Sequence, residues 1–318
     1  MSQPTRLTIA LATGSMPPLP WRDAVAQALA AVGIDADVRV WEGARIGADY
    51  AVVWLPPPEL FALERNVRAV FNLGAGVDAL LARVPESVPI FRLVDAGMAP
   101  KIAEYVCFAL ARITRGLDRF APYPRGSRDW NAPRPRGAAP TVGVAGLGAI
   151  GAAIVQAALR FGYRALGWSR TPKSIADVEC FAGAEGLAPF LARAQVLVNA
   201  LPLTAATENL FDAAAFARMP RGAHVINVGR GATIVDADLL AALDSGQLAS
   251  ATLDVFRVEP LPDDHPFWTH PAITVTPHLS GPTPRAPAAQ QIADALARLQ
   301  RGVPAHTVAG YVDRARGY

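Results

Sequence analysis

Apolar positions along this chain fall into two alternating patterns, short continuous runs and helix-spaced sets. Leu7 to Ala12 is the first run and predicts a strand, followed by a Gly- and Pro-rich loop through Pro20. Trp21, Val25, Ala28, Leu29 and Val32 then recur at i, i+4, i+7, i+8 and i+11, one face of a helix that Gly33 can end. Val38 to Trp41, Tyr50 to Leu55, Ala69 to Leu73 and Pro89 to Leu93 continue as short strands, with a helix around Glu59 to Asn66. Strand alternating with helix predicts an α/β fold with a small open parallel sheet, distinct from the part that begins near residue 100.

Lys101 to Leu117 is helical in pattern and is expected to cross between two domains. Ala121 to Pro140 is Pro- and Arg-rich, carries Trp130, and reads either as a subunit-contact arm or as a solvated linker. Beyond it, Val142 and Val144 lead into glycines, then a helix over Ala152 to Phe161 and a second strand over Tyr163 to Trp168, which together make a βαβ unit. Gln195 to Ala200, His224 to Val228, Ala251 to Phe256 and Ile273 to Thr276 follow as strands, and Pro284 to Arg301 returns as a helix.

Composition narrows the class. At 318 residues, 52% of them hydrophobic and 18% charged, the chain is long enough to bury two cores. No apolar run reaches membrane-spanning length, so no membrane partner is expected. Leu7 to Ala12, the one candidate targeting core, is short and lacks a convincing cleavage signal, and a cytoplasmic location is expected. Cys107 and Cys180 have neither metal-ligand nor disulfide-framework spacing, and no metal is expected. The pI near 9.1 invites a nucleic-acid reading. The formal charge is only +3, however, and the arginines are scattered with no recognition module around them, so no nucleic-acid partner is expected.

The glycines carry the first chemical signal. Gly146-Leu147-Gly148-Ala149-Ile150-Gly151 is a complete G-x-G-x-x-G between a strand and a helix. Gly146 can make the tight turn, Gly148 leaves the backbone open to a pyrophosphate, and Gly151 lets helix and strand approach. The phosphates would sit on the free N–H groups of the helix start, Ala149 and Ile150 included. A site for NAD usually ends its second strand in Asp or Glu, which binds the ribose 2′-hydroxyl. This chain has Ser169, Arg170, Thr171 and Lys173 there instead, hydroxyls and fixed positive charge that suit a 2′-phosphate. A solvated basic loop would read the same way, yet the absent acid favours NADPH, with NADH the weaker alternative.

Three residues at three strand ends carry the second signal. Arg230 follows Asn227-Val228-Gly229, Glu259 follows Asp254 to Val258, and His278 follows Thr276-Pro277. Reduction of a 2-oxo acid needs a cation for the carboxylate and a proton donor for the carbonyl oxygen. Arg230 suits the first task, and His278 the second, since a free imidazole titrates near pH 6.5 or about that value. Glu259 can accept the other imidazole N–H, orient the ring and favour its protonated form. Asp254 competes for that role or faces the nicotinamide. His224, His265, His270 and His306 lack matching partners and read as structural. Two further loops lie at strand ends. In Leu73-Gly74-Ala75-Gly76-Val77-Asp78 the backbone N–H groups can meet a carboxylate, or the glycines make an ordinary turn. Trp54, before Leu55-Pro56-Pro57-Pro58, walls a substrate pocket or packs in the core.

These residues together resemble the D-isomer-specific 2-hydroxyacid dehydrogenase family, and within it the glyoxylate/hydroxypyruvate reductase A branch. The resemblance covers nearly the whole chain. It is carried by Val53 to Pro57, Phe71 to Asp78, Gly146 to Gly151, Trp168 to Thr171, Asn227 to Gly231, Leu253 to Phe256 with Glu259 to Pro262, Thr276 to His278, and Val312 to Tyr318. It implies a Rossmann dinucleotide-binding domain over 100–284 and a smaller flavodoxin-like substrate domain over 1–99 plus 285–318. It further implies Arg230 as substrate-binding and catalytic, Glu259 as the histidine's partner, His278 as acid/base, and the Ala75-Gly76 backbone as the carboxylate contact. A homodimer with its active site in the cleft between domains is implied as well. Leu201, Pro202, Thr207, Val228, Gly229, Asp254 and Gly281 complete the expected cofactor-binding set. Met98-Ala99-Pro100-Lys101 and Leu279-Ser280-Gly281 depart from the branch's pattern and are expected to border the site.

The expected activity is NADPH-dependent reduction of small 2-oxo acids such as glyoxylate and hydroxypyruvate. The alternatives are a relative acting on a larger or branched D-2-hydroxy acid, and a nucleotide-sensing binding protein without turnover.

Overall fold

The structure, a computed structural model, describes residues 6–117 and 139–318. All but the last two residues of the Pro- and Arg-rich stretch from Ala121 to Pro140, Trp130 included, lie outside these. The chain divides into two compact units, one of residues up to Gly97 together with Thr283–Tyr318, the other of Met98–Pro282.

The first unit contains β1 (Leu7–Ala12), α1 (Pro18–Ala31), β2 (Ala36–Val40), β3 (Tyr50–Val53), α2 (Glu59–Leu63), β4 (Val70–Asn72), α3 (Asp78–Leu81) and β5 (Ile90–Phe91). Its strands run parallel in the order β2-β1-β3-β4-β5. Tyr50 to Val53 are buried without a break. An uninterrupted apolar run of this kind belongs to a parallel strand covered on both faces. The order turns back at β1 and β3, and the loops after those strands leave toward opposite sides of the sheet.

The second unit contains α4 (Ala99–Arg115), β6 (Thr141–Ala145), α5 (Ala149–Arg160), β7 (Arg164–Ser169), β8 (Glu179–Ala182), α6 (Gly183–Leu191), β9 (Val196–Asn199), α7 (Ala213–Arg218), β10 (Ala223–Asn227), α8 (Asp236–Asp244), β11 (Leu248–Leu253) and β12 (Ile273–Val275). They form one parallel sheet, β12-β11-β10-β9-β6-β7-β8. Finally, α9 (Arg285–Gln300) packs on α1 in the first unit.

Strand register fixes where chemistry can gather. Trp168 pairs with Ala145, Ala145 with Asn199, Asn199 with Asn227, Asn227 with Leu253 and Leu253 with Val275. The residues just past this row therefore leave the sheet at one carboxyl edge. They are Gly146, Ala200, Val228, Asp254 and Thr276, and Arg170 leaves one residue later, after Ser169 pairs with Ala182. The strand expected over Ala251 to Phe256 runs instead over Leu248–Leu253. Small residues, Ala249 and Ser250, hide its start, and Asp254 turns the chain out of the ladder.

Among the described residues no helix is long and apolar enough to cross a membrane. No group of three or more His, Cys, Asp or Glu among them is placed to hold a metal ion.

Candidate active site

Past β6 the chain makes its glycine turn. Gly146 has φ +100 and donates its N–H to Trp168 O at 2.8 Å, and a Cβ there would lie 2.8 Å from Ala200 O. Gly151, in the first turn of α5, faces the Gly146 carbonyl so closely that a Cβ would overlap it. Gly148 differs from both. It caps α5 with φ −79, and a Cβ built on it meets nothing within 4 Å. Among the described residues nothing fills the space in front of Gly148, so the backbone of the turn is open there. Gly148, Ala149 and Ile150 open α5, where the first N–H groups of a helix have no partner within it.

The loop after β7 carries the residues read as a 2′-phosphate site. Arg170, Thr171 and Lys173 are exposed, whereas Ser169 is buried and donates its hydroxyl hydrogen to Thr171 O at 2.8 Å. Ser169 thus shapes the loop, and the exposed positive charge lies on Arg170 and Lys173. On the other side of β6, the Thr207 hydroxyl donates to Pro202 O at 2.7 Å and accepts from Thr204 N at 2.8 Å, closing the loop after β9. A Cβ at Gly229 would lie 2.7 Å from Leu201 O, so this glycine lets the loops of Leu201 and Val228 touch. Gly281 is set against Ile102, whose Cγ1 would be 2.5 Å from an added Cβ. Its lack of a side chain serves packing on α4.

Glu259 and His278 meet. His278 Nδ1 lies 2.7 Å from Glu259 Oε2, and Glu259 Oε1 accepts the Phe256 N–H at 2.9 Å. A carboxylate only accepts, so Nδ1 carries the hydrogen of this bond. Nε2 is left to exchange a proton elsewhere, and it has no protein partner among the described residues. Burial pushes the Glu259 carboxyl up. The bonds from His278 and Phe256, with the charges of His278 and Arg230, outweigh that and hold it below the ordinary range. The same influence puts Arg230 within electrostatic reach of the pair. Arg230 donates from its Nη1 to Gly229 O at 2.8 Å. His278 has φ +48, a left-handed backbone that a non-glycine residue adopts only when its surroundings impose it.

Asp254 is not the histidine's partner. Its side chain is fully buried, with both carboxylate oxygens turned to Thr276, Leu279 and Ser280. Three of the other four histidines find local partners: His224 Nδ1 lies 2.8 Å from Ser250 Oγ, His265 Nε2 3.6 Å from Asp236, and His270 Nε2 3.3 Å from Asp244.

A buried amide network that the sequence does not reveal lies behind Arg230. Asn199 and Asn227 are buried at adjacent strand ends, and Asn199 Nδ2 donates to Asn227 Oδ1 at 2.8 Å and to Thr233 Oγ1 at 2.7 Å. Asn227 Nδ2 at 3.2 Å and the Thr233 hydroxyl at 2.6 Å both donate to Arg230 O. The available signal was an asparagine ending each of two apolar strands.

In the first unit, Asn72 Nδ2 donates to Gly74 O at 3.1 Å and to Gly76 O at 2.6 Å, which pins the turn after β4. The Ala75 and Gly76 N–H groups donate to no protein acceptor among the described residues. The Trp54 ring lies on Gly74, where an added Cβ would overlap it. Both readings of these residues meet here, since Trp54 packs, and what it packs on is the candidate anion turn.

The family described as D-isomer specific 2-hydroxyacid dehydrogenase, NAD binding domain, matches residues 108–280. Glyoxylate/hydroxypyruvate reductase A of Serratia proteamaculans is 43% identical over 294 residues, 89% of this chain and 92% of the relative. A D-isomer specific 2-hydroxyacid dehydrogenase from Xanthobacter autotrophicus, crystallised with NADPH and MES, superposes with TM-score 0.85 at 42% identity. That match covers 97% of this chain and 99% of the other. An NADPH-dependent glyoxylate/hydroxypyruvate reductase from Sinorhizobium meliloti, solved with NADP and sulfate, gives TM-score 0.85 at 32% identity, covering 98% of this chain and 100% of that one.

Proposed function

From the membership of this chain in the D-isomer-specific 2-hydroxyacid dehydrogenase family, we propose that it is an NADPH-dependent reductase of small 2-oxo acids, glyoxylate and hydroxypyruvate first among them. The observation that carries the reading is the His278–Glu259 pair at 2.7 Å, which engages Nδ1 and leaves Nε2 free to exchange a proton. NADPH, when bound, supplies the hydride that reduces C2.

The residues present fit that cofactor. Gly148 faces open space at the start of α5, and the loop after β7 offers Arg170 and Lys173 where a site for NAD would carry an acid. The chain's own part in the reaction is then short to state. Arg230 holds the substrate carboxylate and draws electron density toward the carbonyl oxygen. His278 gives its Nε2 proton to that oxygen as the alcohol forms. Glu259 keeps the ring in the tautomer and orientation this needs. In the first unit we assign the Ala75 and Gly76 N–H groups to a carboxylate and the Trp54 ring to the wall of their turn. A homodimer belongs to the same proposal.

The test is His278→Ala. NADPH binding is expected to persist while turnover falls about a hundredfold or more, the usual scale for a positioned acid. Turnover retained near the wild-type rate would remove His278 from the reaction.

A further inference from the structure

His278 keeps its left-handed backbone through a set of bonds that leads away from the reacting atoms. The Asp254 carbonyl accepts the His278 N–H at 2.9 Å. Its carboxylate takes the next two amides, Leu279 N–H on Oδ1 and Ser280 N–H on Oδ2, each at 2.9 Å. One buried residue therefore grips three consecutive amides of the turn. Its carboxylate is itself held from one side, because Thr276 Oγ1 lies 2.6 Å from Oδ1. A carboxylate cannot donate, so the threonine hydroxyl must, and its single hydrogen is then spent. Tyr105 Oη on α4 lies 2.7 Å from the same Thr276 oxygen, and only the tyrosine has a hydrogen left to give. The direction of the chain is thus fixed: Tyr105 donates to Thr276, Thr276 to Asp254, and Asp254 receives the turn. Burial, the largest influence, and the Asp254 charge raise the Tyr105 hydroxyl against the opposing effects of Thr276 and Arg112, which keeps it a donor.

We propose that Tyr105 and Thr276 are positioning residues for His278, acting through the Asp254 carboxylate. The inference rests on the reductase reading for its consequence in turnover. The hydroxyl of Tyr105 has no other partner among the described residues, so Tyr105→Phe removes this bond and little packing.

The experiment compares Tyr105→Phe, Thr276→Val, Thr276→Ser and the Phe/Val double variant with wild type, using NADPH and glyoxylate. Thr276→Val is expected to lower kcat about tenfold or more and Tyr105→Phe about threefold, with KM and the NADPH Kd within about twofold, because a small misplacement of an acid costs rate rather than binding. Thr276→Ser restores kcat. The double variant is no slower than Thr276→Val, since Tyr105 acts only through Thr276. Losses that multiply, or that fall on Kd or on Tm while kcat is kept, overturn the proposal. The downfield Nδ1–H proton signal of His278, identified by its absence in His278→Asn, gives a reading independent of turnover. It should shift in both single variants, and an unchanged signal in both overturns the positioning role. An inactive wild type would instead overturn the reductase reading and leave this signal to decide the inference.

Discussion

His278 and Glu259 are half-exposed, with side chains 41% and 36% accessible, so the worth of their pairing lies in orientation more than in stability. The sign of the pH effect follows from the lowered Glu259 carboxyl. A group whose folded pKa is depressed stabilises fully above its unfolded value, about 4.3 for glutamate, and loses that contribution as pH falls through the folded value. Urea unfolding of wild type and Glu259→Gln should therefore differ above about pH 5 and converge in more acid solution. A difference that grew toward acid would contradict the cited direction. Arg170 makes a second prediction. Arg170→Ala should weaken NADPH about tenfold or more while leaving NADH within about twofold, the scale of a hydrogen bond to a charged group. Equal losses measured by fluorescence titration would make it a surface charge only. Arg230, Glu259 and His278 stood out in sequence because each follows an apolar run, and the fold brings Glu259 and His278 together. Tyr105 and Thr276 were not, because their partnership spans 171 positions and is created by the fold alone.

Between β6 and α5 the three glycines do different work, and substitutions separate them. Gly151→Ala forces a Cβ onto the Gly146 carbonyl and should lower stability by about 1–3 kcal/mol, the cost of overpacking. Gly148→Ala meets open space at an ordinary φ, so the cofactor-free protein should unfold as wild type does, while NADPH binds more weakly. Thermal melts with and without NADPH distinguish the two. A Gly148→Ala protein whose NADPH affinity is unchanged would mean that the space is not the cofactor's. The parallel strands could be read from sequence because their apolar runs are continuous, as in β3 and β9, where every residue is buried. Elements without such runs were missed. β8 is only half-buried, α6 contains Pro189, and α7 and α8 are short helices between strands.

At the level of the whole chain, two parallel sheets emerge from one alternating pattern, and in each the candidate site residues lie past the carboxyl ends of the strands. The first unit is completed by a distant part of the sequence, since α9 packs on α1 and Val312 N donates to Ile90 O at 2.9 Å. Periodicity alone showed a last helix and not its destination; the family resemblance supplied that. Cofactor, reaction and substrate class are all reached by one measurement: initial rates of NADPH and NADH oxidation, side by side, with glyoxylate, hydroxypyruvate and a branched 2-oxo acid. Fast turnover is expected with NADPH and the two small acids, and slower turnover with NADH or the branched acid. Tight NADPH binding with no turnover on any of the three would contradict it and leave a nucleotide-sensing protein in its place.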